Sequence, residues 1–369
     1  MNLPPASRPA SEPTSPSATD AASTAIPPHL PRVLILATGG TIAGAAGSAA
    51  QSLQYQAGAL TLDVLLAAVP GLDRLAVIEA QQFAAIDSKD ASLDFLCSLS
   101  REVMTALARD DVDGIVITHG TDTLEETAYW LHLTVGSDKP VVMTAAMRPA
   151  TALSADGPAN LFDAVTLAAA PAARGQGVLV AFANRIHSAR DVVKASSHAV
   201  NAFASPEQGA LGWVQDGRVA FTRTMQGAHA ALHTSASRFA RVAGWRVAEL
   251  AGVDIVVSYA GVSPRQIDAL LDGAAGAVAG VVVAGTGNGS MHADLQQALS
   301  RLARAGVAVV RSSRTLEVRV TRGAALDDAA LGFVASGTLN PYKARLLLLL
   351  ALSDAVIEPA ALQAVFDAY

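Results

Sequence analysis

Val33-Leu34-Ile35-Leu36-Ala37-Thr38-Gly39-Gly40-Thr41-Ile42-Ala43-Gly44 joins a strand-like apolar run directly to a glycine-rich turn. Apolar residues without polar alternation read as a strand covered on both faces. Glycines just beyond it permit positive φ and close main-chain approach. Similar buried strands are expected at Gly114–Thr118, Val141–Thr144, Val178–Phe182, Ile255–Tyr259, Val281–Ala284 and Val307–Val310. Stretches of helical length separate them: Thr61–Ala68, Ala91–Ala108, Leu124–Leu133, Gly157–Ala169 and His292–Ala305. This alternation predicts an α/β fold built on mostly parallel sheets flanked by helices. In such sheets the reactive residues belong in loops at the carboxyl ends of strands.

The chain has 369 residues, 51% of them hydrophobic, which suits two domains with separate cores. The strand–helix rhythm fails between Ser205 and Arg246, apart from a hairpin expected at Asp216–Gly217. A boundary is therefore placed near residue 245, giving a larger N-terminal domain over 31–244 and a smaller C-terminal domain over 245–369. Residues 1–30 are rich in Pro, Ser, Ala and Thr and cannot bury enough surface to offset chain entropy, so they read as a disordered extension. They lack the basic start and apolar stretch of a secretory signal, and the expected location is cytoplasmic. The apolar run Leu346–Leu350 is far too short to cross a bilayer and reads as a buried amphipathic helix.

Charge excludes other classes. The formal net charge is -6 with signs interspersed, which is not the footprint of a nucleic-acid binder. The one cysteine, Cys97, cannot form an internal disulfide, and no metal, nucleotide or haem signature is present, so no cofactor is expected.

Two turns carry candidate chemistry. In the first, Thr41 follows Gly39-Gly40; spacing alone leaves a tight turn and a catalytic threonine equally open. The second is Thr118-His119-Gly120-Thr121-Asp122-Thr123-Leu124-Glu125-Glu126-Thr127, which leaves a strand and opens a helix. Thr121, Asp122 or Thr123 could simply cap that helix, with Glu125 and Glu126 favourable in its first turn. One helix needs only one cap, however, and a Thr-Asp-Thr cluster beside a glycine stands where a binding site is expected. His119 reads as a packed or hydrogen-bonded side chain.

Together, in this order and spacing, the two turns resemble the paired signatures of the bacterial L-asparaginase/glutaminase-asparaginase family. The resemblance continues through Ala146-Met147-Arg148-Pro149, Ser154-Ala155-Asp156-Gly157, Arg190-Asp191-Val192-Val193-Lys194, Gly287-Asn288-Gly289 and Gly332–Asn340. It covers about residues 32–369. It implies an asparaginase-like two-domain fold and hydrolysis of the side-chain amide of L-asparagine by threonine nucleophilic catalysis, with side activity on L-glutamine. Thr41 matches the attacking threonine, Tyr55 the tyrosine bonded to it, and Thr121, Asp122 and Lys194 the cluster at the pocket floor. Gly40, Ser88, Lys89, Gly120, Thr121, Asp122 and Ala146 fall at substrate-binding positions. A homotetramer taking a small-molecule amino-acid substrate, with no nucleic-acid or membrane partner, is likewise implied.

The chain departs from that pattern at three places. Lys89 stands where well-studied periplasmic relatives have glutamine. Gly261 and Ala325 replace an asparagine and a glutamate that those relatives donate from a neighbouring subunit. Fewer polar contacts should loosen discrimination between the two amides. They also leave open a catalytically weak or silent amino-acid-binding homologue. An amidotransferase subunit shares the core, but residues 1–30 are too short and polar to be the folded domain such subunits add.

Overall fold

The computed structural model describes residues 30–50, 54–225, 238–240, 246–273 and 278–369. Both the expected boundary near residue 245 and the expected extension, except its final residue, lie outside the described residues. Among the described residues sixteen strands are formed. The N-terminal ones are β1 Arg32–Gly39, β2 Ala45–Ala46, β3 Tyr55–Gln56, β4 Val77–Ile86, β5 Gly114–Thr118, β6 Val141–Thr144 and β7 Val178–Phe182. They are followed by β8 Arg185–Ser188, β9 Val193–Lys194, β10 Phe203–Ala204, β11 Gly212–Gln215 and β12 Arg218–Phe221. Four more, β13 Val253–Val257, β14 Gly280–Gly285, β15 Ala308–Ser313 and β16 Phe333–Ala335, make a separate sheet.

The large sheet runs β12-β11-β8-β7-β6-β5-β1-β4. Its segment β4-β1-β5-β6-β7 is parallel throughout, and β8, β11 and β12 extend it antiparallel. Read in chain order, the parallel segment is the doubly wound order 2-1-3-4-5. The direction of strand addition reverses between β1 and β5, so a crevice opens at their carboxyl ends. Helices α1 Leu62–Ala67, α2 Leu93–Leu107, α3 Leu124–Thr134 and α4 Gly157–Ala169 lie among these strands. Two apolar clusters form on this sheet, one with Leu34, Leu36, Ile115 and Trp130, the other with Val33, Ile35, Val116 and Leu161. Alternate residues of β1 thus enter opposite layers, which is why its run shows no polar alternation.

Strands β5, β6 and β7 and helix α4 occupy the residues expected from the sequence. The Asp216–Gly217 hairpin is formed, with both residues at positive φ (51° and 72°), as a two-residue turn matched to strand twist requires. The expected strand Ile255–Tyr259 is corrected to Val253–Val257. This is an edge strand in register with β14 from Val253↔Gly280, and Tyr259 is exposed beyond its end. The expected strand ending at Val310 is corrected to end at Ser313. Arg311, Ser312 and Ser313 are polar yet buried, because each has a partner. The apolar pattern predicts no strand where the ten-residue β4 lies, because this half-exposed sheet edge contains Glu79, Gln81 and Gln82 and lacks a continuous apolar run.

The helix Pro341–Ser353 is buried rather than amphipathic. Every residue of Leu346–Ala351 is inaccessible because the helix lies between α3 and strands β13, β14 and β15. Leucines on all its faces therefore join the two sheets through one core. In the C-terminal domain the fully buried Arg311 guanidinium pairs with Asp328 at 2.5 and 2.7 Å and donates to the Asn288 and Gly289 carbonyls. Removing one partner of such a pair strands the other charge. Asp328→Asn is therefore expected to lower unfolding free energy by about 3–5 kcal/mol. Urea unfolding measures this, and a change near zero would refute the role given to the pair.

Candidate active site

Three loops meet at the carboxyl ends of β4, β1 and β5. Gly40, at φ 79°, follows β1, and a β-carbon placed on it would lie 2.4 Å from the Gly120 nitrogen and α-carbon. A β-carbon on Gly120 would meet the Ser88 side chain at 2.5 Å. Only glycine lets these main chains touch. The contact is tied by Gly40 N–H donating to the Ile86 carbonyl at 3.0 Å and Thr38 Oγ1 donating to the Thr118 carbonyl at 2.8 Å. Thr41 and Thr121 each follow one of the touching glycines, so the two hydroxyl-bearing loops face a common crevice.

Thr41 is buried, and its Oγ1 shares a hydrogen bond of 2.7 Å with the Tyr55 hydroxyl. Tyr55 is half-exposed and is held by the short antiparallel pairing Ala46↔Tyr55. Across the crevice, Lys194 Nζ donates to Thr121 Oγ1 at 2.8 Å and to Asp122 Oδ1 at 2.6 Å. Lys194 is mostly shielded while Asp122 is open to solvent. An ammonium so placed is able to stabilise negative charge on the Thr121 hydroxyl, and the outer face of the Asp122 carboxylate is open to solvent.

The capping account of the second turn fails in this geometry. No side chain caps α3: Thr121 and Asp122 turn to Lys194, and Thr123 Oγ1 donates to the Ser88 carbonyl at 2.7 Å. Ser88 is buried, and its hydroxyl accepts from the Asp122 main-chain N–H at 3.2 Å. Lys89 behaves differently. Its ammonium lies 2.7 Å from Asp90 and 3.1 Å from Asp87 and is well exposed. The Ala146 side chain is in the core beneath the site, which leaves only its main chain for a ligand. Gly261 is exposed at φ 74°, with nothing near its missing side chain, and Ala325 is also exposed.

Asp156 and Asn160 have roles the motif alone did not disclose. Asp156 accepts the Met147 and Arg148 N–H groups, both at 2.9 Å, and Asn160 donates to the Ala145 carbonyl, so α4 fixes the turn after β6. The sequence alone makes Glu125 a favourable charge in the first turn of α3. Its Oε2 in fact accepts the Lys194 main-chain N–H at 2.8 Å, and its Oε1 accepts from Asn340 Nδ2 at 3.2 Å. The pattern Asp-Thr-Leu-Glu could not reveal partners so distant in sequence.

His119 is packed as expected. Its Nδ1–H donates to the Gly120 carbonyl at 2.8 Å, and Nε2 accepts from Thr127 Oγ1 at 3.2 Å. Burial pushes its pKa down to about 4, and burial likewise pushes His187 to about 4. Both are neutral when folded, whereas the unfolded imidazoles protonate near 6.5. Stability is therefore lost as pH falls from about 6.5 toward 4, each histidine contributing about 1.4 kcal/mol per pH unit. Urea unfolding between these pH values should show a slope smaller by about one proton in His187→Gln; an unchanged slope would contradict the buried neutral state.

The chain matches the family description "Asparaginase, N-terminal" over residues 32–226 and "Glutaminase/Asparaginase C-terminal domain" over residues 252–366. It is 44% identical over 340 residues to L-asparaginase 2 of Escherichia coli, covering 92% of this chain and 94% of that protein. It is 42% identical over 325 residues to the glutaminase-asparaginase of Pseudomonas fluorescens biotype A, covering 88% and 87%. The crystal structure of a probable cytoplasmic L-asparaginase from Campylobacter jejuni superposes with a TM-score of 0.85 at 43% identity. It covers 92% of this chain and all of that one. Both matched domains and the sheet order are present in one chain, which belongs to the asparaginase/glutaminase family.

Proposed function

We propose that this protein hydrolyses the side-chain amide of L-asparagine to L-aspartate and ammonia, with side activity on L-glutamine. The observation that carries this reading is the pair of threonines beyond the touching glycines, Thr41 bonded to Tyr55 and Thr121 to Lys194. In the proposed route Thr41 Oγ1 adds to the amide carbon as its proton passes toward Tyr55. Main-chain N–H groups of the glycine-rich turn receive the developing oxyanion. The carbon–nitrogen bond then breaks, a proton is delivered to the nitrogen and ammonia leaves. Water attacks the resulting ester, with Thr121 and Lys194 orienting it, and releases aspartate and the free threonine.

Asp122 pairs with the substrate α-ammonium and Ser88 holds its α-carboxylate in this reading. Gly40, Gly120 and the Ala146 main chain line the reacting amide. Lys89 is held by Asp87 and Asp90, which supports a wall that does not select sharply between the two amides. Gly261 and Ala325 offer no polar side chain to reject the longer one. The domain division near residue 245, a homotetramer and a cytoplasmic location belong to the same proposal. The last is supported by the likeness to the Campylobacter jejuni protein. Among the described residues no helix is long and apolar enough to cross a membrane.

Ammonia release measured side by side on asparagine and glutamine tests the reaction, and turnover of neither would end this reading. Thr41→Ala and Thr121→Ala are each expected to lower kcat by about a hundredfold or more while thermal unfolding stays near that of the parent. Near-parental kcat in either variant removes that threonine from the route.

A further inference from the structure

Lys194 must be held in place by something other than its own strand. That strand, β9, is two residues long and among the described residues pairs only with Phe203–Ala204. The supports come from the amino end of the helix Pro341–Ser353, in the C-terminal domain of the same chain. Lys343 Nζ donates to three carbonyls of the segment leading into Lys194: Ala189 at 2.9 Å, Arg190 at 2.8 Å, and Val192. These use all three ammonium donors. Asn340 Oδ1 caps the helix by accepting the Lys343 N–H at 3.0 Å, while its amide nitrogen reaches Glu125. Glu125 in turn holds the Lys194 main-chain N–H.

Lys343 is 1% exposed, with its ammonium 5.8 Å from the Tyr129 ring centre. Burial lowers its pKa to about 8, offset in part by the Glu125 and Asp191 carboxylates. A buried ammonium is a costly way to fill a core, since an apolar side chain of similar volume is often at least as stabilising. What the charge provides, and an apolar chain cannot, is a three-point grip on main-chain oxygens.

We propose that Lys343 and Asn340 are positioning residues, which fix the Lys194 ammonium against Thr121 by gripping carbonyls 189, 190 and 192 and by holding Glu125. The C-terminal domain of each chain thereby becomes part of the catalytic apparatus in that chain's own N-terminal crevice. This deepens the hydrolase reading above and rests on it, because the grip matters to rate only if Lys194 serves Thr121.

Two variants test it. Lys343→Met fills the same space without donors. Asn340→Asp keeps a helix cap but removes the amide donor and sets a carboxylate against Glu125. Each is expected to lower kcat for asparagine by about ten- to a hundredfold, the range a misplacement of about 1 Å produces, with KM within about threefold of wild type. Calorimetry should still show one aspartate bound per chain in both, which separates misplacement from loss of folded protein. Wild-type kcat in either folded variant overturns the proposal, as does a KM that rises in step with the fall in kcat. Should Lys343→Met not fold, Asn340→Asp decides alone. Wild-type protein that releases no ammonia from either amide removes both this proposal and the reading beneath it; an active wild type with fully active variants removes only the grip.

Discussion

Gly40 and Gly120 touch through their main chains, with no room between them for a single methyl group. That contact sits where strand addition reverses, between β1 and β5, and the rest of the site depends on it. Parallel strands place their loops on one side of the sheet, and the reversal keeps helices from covering the gap. The glycines then bring the loops together, and the residue following each glycine is the threonine that carries a hydroxyl into the crevice. Ser88, on the loop after β4, closes the third side by taking the N–H of Asp122.

Around this contact the polar groups form a chain of single-purpose bonds. Thr41 is tied to Tyr55, Thr121 and Asp122 to Lys194, the Lys194 main chain to Glu125, and Glu125 to Asn340. Thr41, Thr121, Glu125 and Asn340 are buried, and each would be costly to leave without a partner. The buried cations follow the same rule. Arg311 answers Asp328 and loop carbonyls in the C-terminal domain, and Lys343 answers three carbonyls beside the site. The fold thus uses its C-terminal domain twice, for bulk burial through Leu346–Leu350 and for polar restraint through the residues just before them.

Outside this network the side chains are less restrained. Lys89 is committed to two neighbouring aspartates, and the exposed Gly261 and Ala325 carry no polar side chain. In the proposed reaction the two threonine hydroxyls call for an amide carbonyl near them, while Lys89, Gly261 and Ala325 would place few hydrogen-bonding conditions on the length of the chain that presents it.

Local pattern was enough for the elements whose stability is local or uniformly apolar. Strands Gly114–Thr118, Val141–Thr144 and Val178–Phe182, helix Gly157–Ala169 and the Asp216–Gly217 turn all fall where residue type alone puts them. The glycine–threonine turns were equally plain, because positive φ and close approach restrict residue choice at the position itself. The sequence by itself therefore determined the α/β class and the two glycine turns that Thr41 and Thr121 follow. Only the tertiary structure decided that β15 continues through Arg311–Ser313, that polar β4 forms the sheet edge, and that Lys343 and Asn340 reach the Ala189 carbonyl and Glu125. The reason is physical. A buried polar side chain is stable only through its partner, and those partners lie 17 residues away for Arg311, 154 for Lys343 at Ala189 and 215 for Asn340.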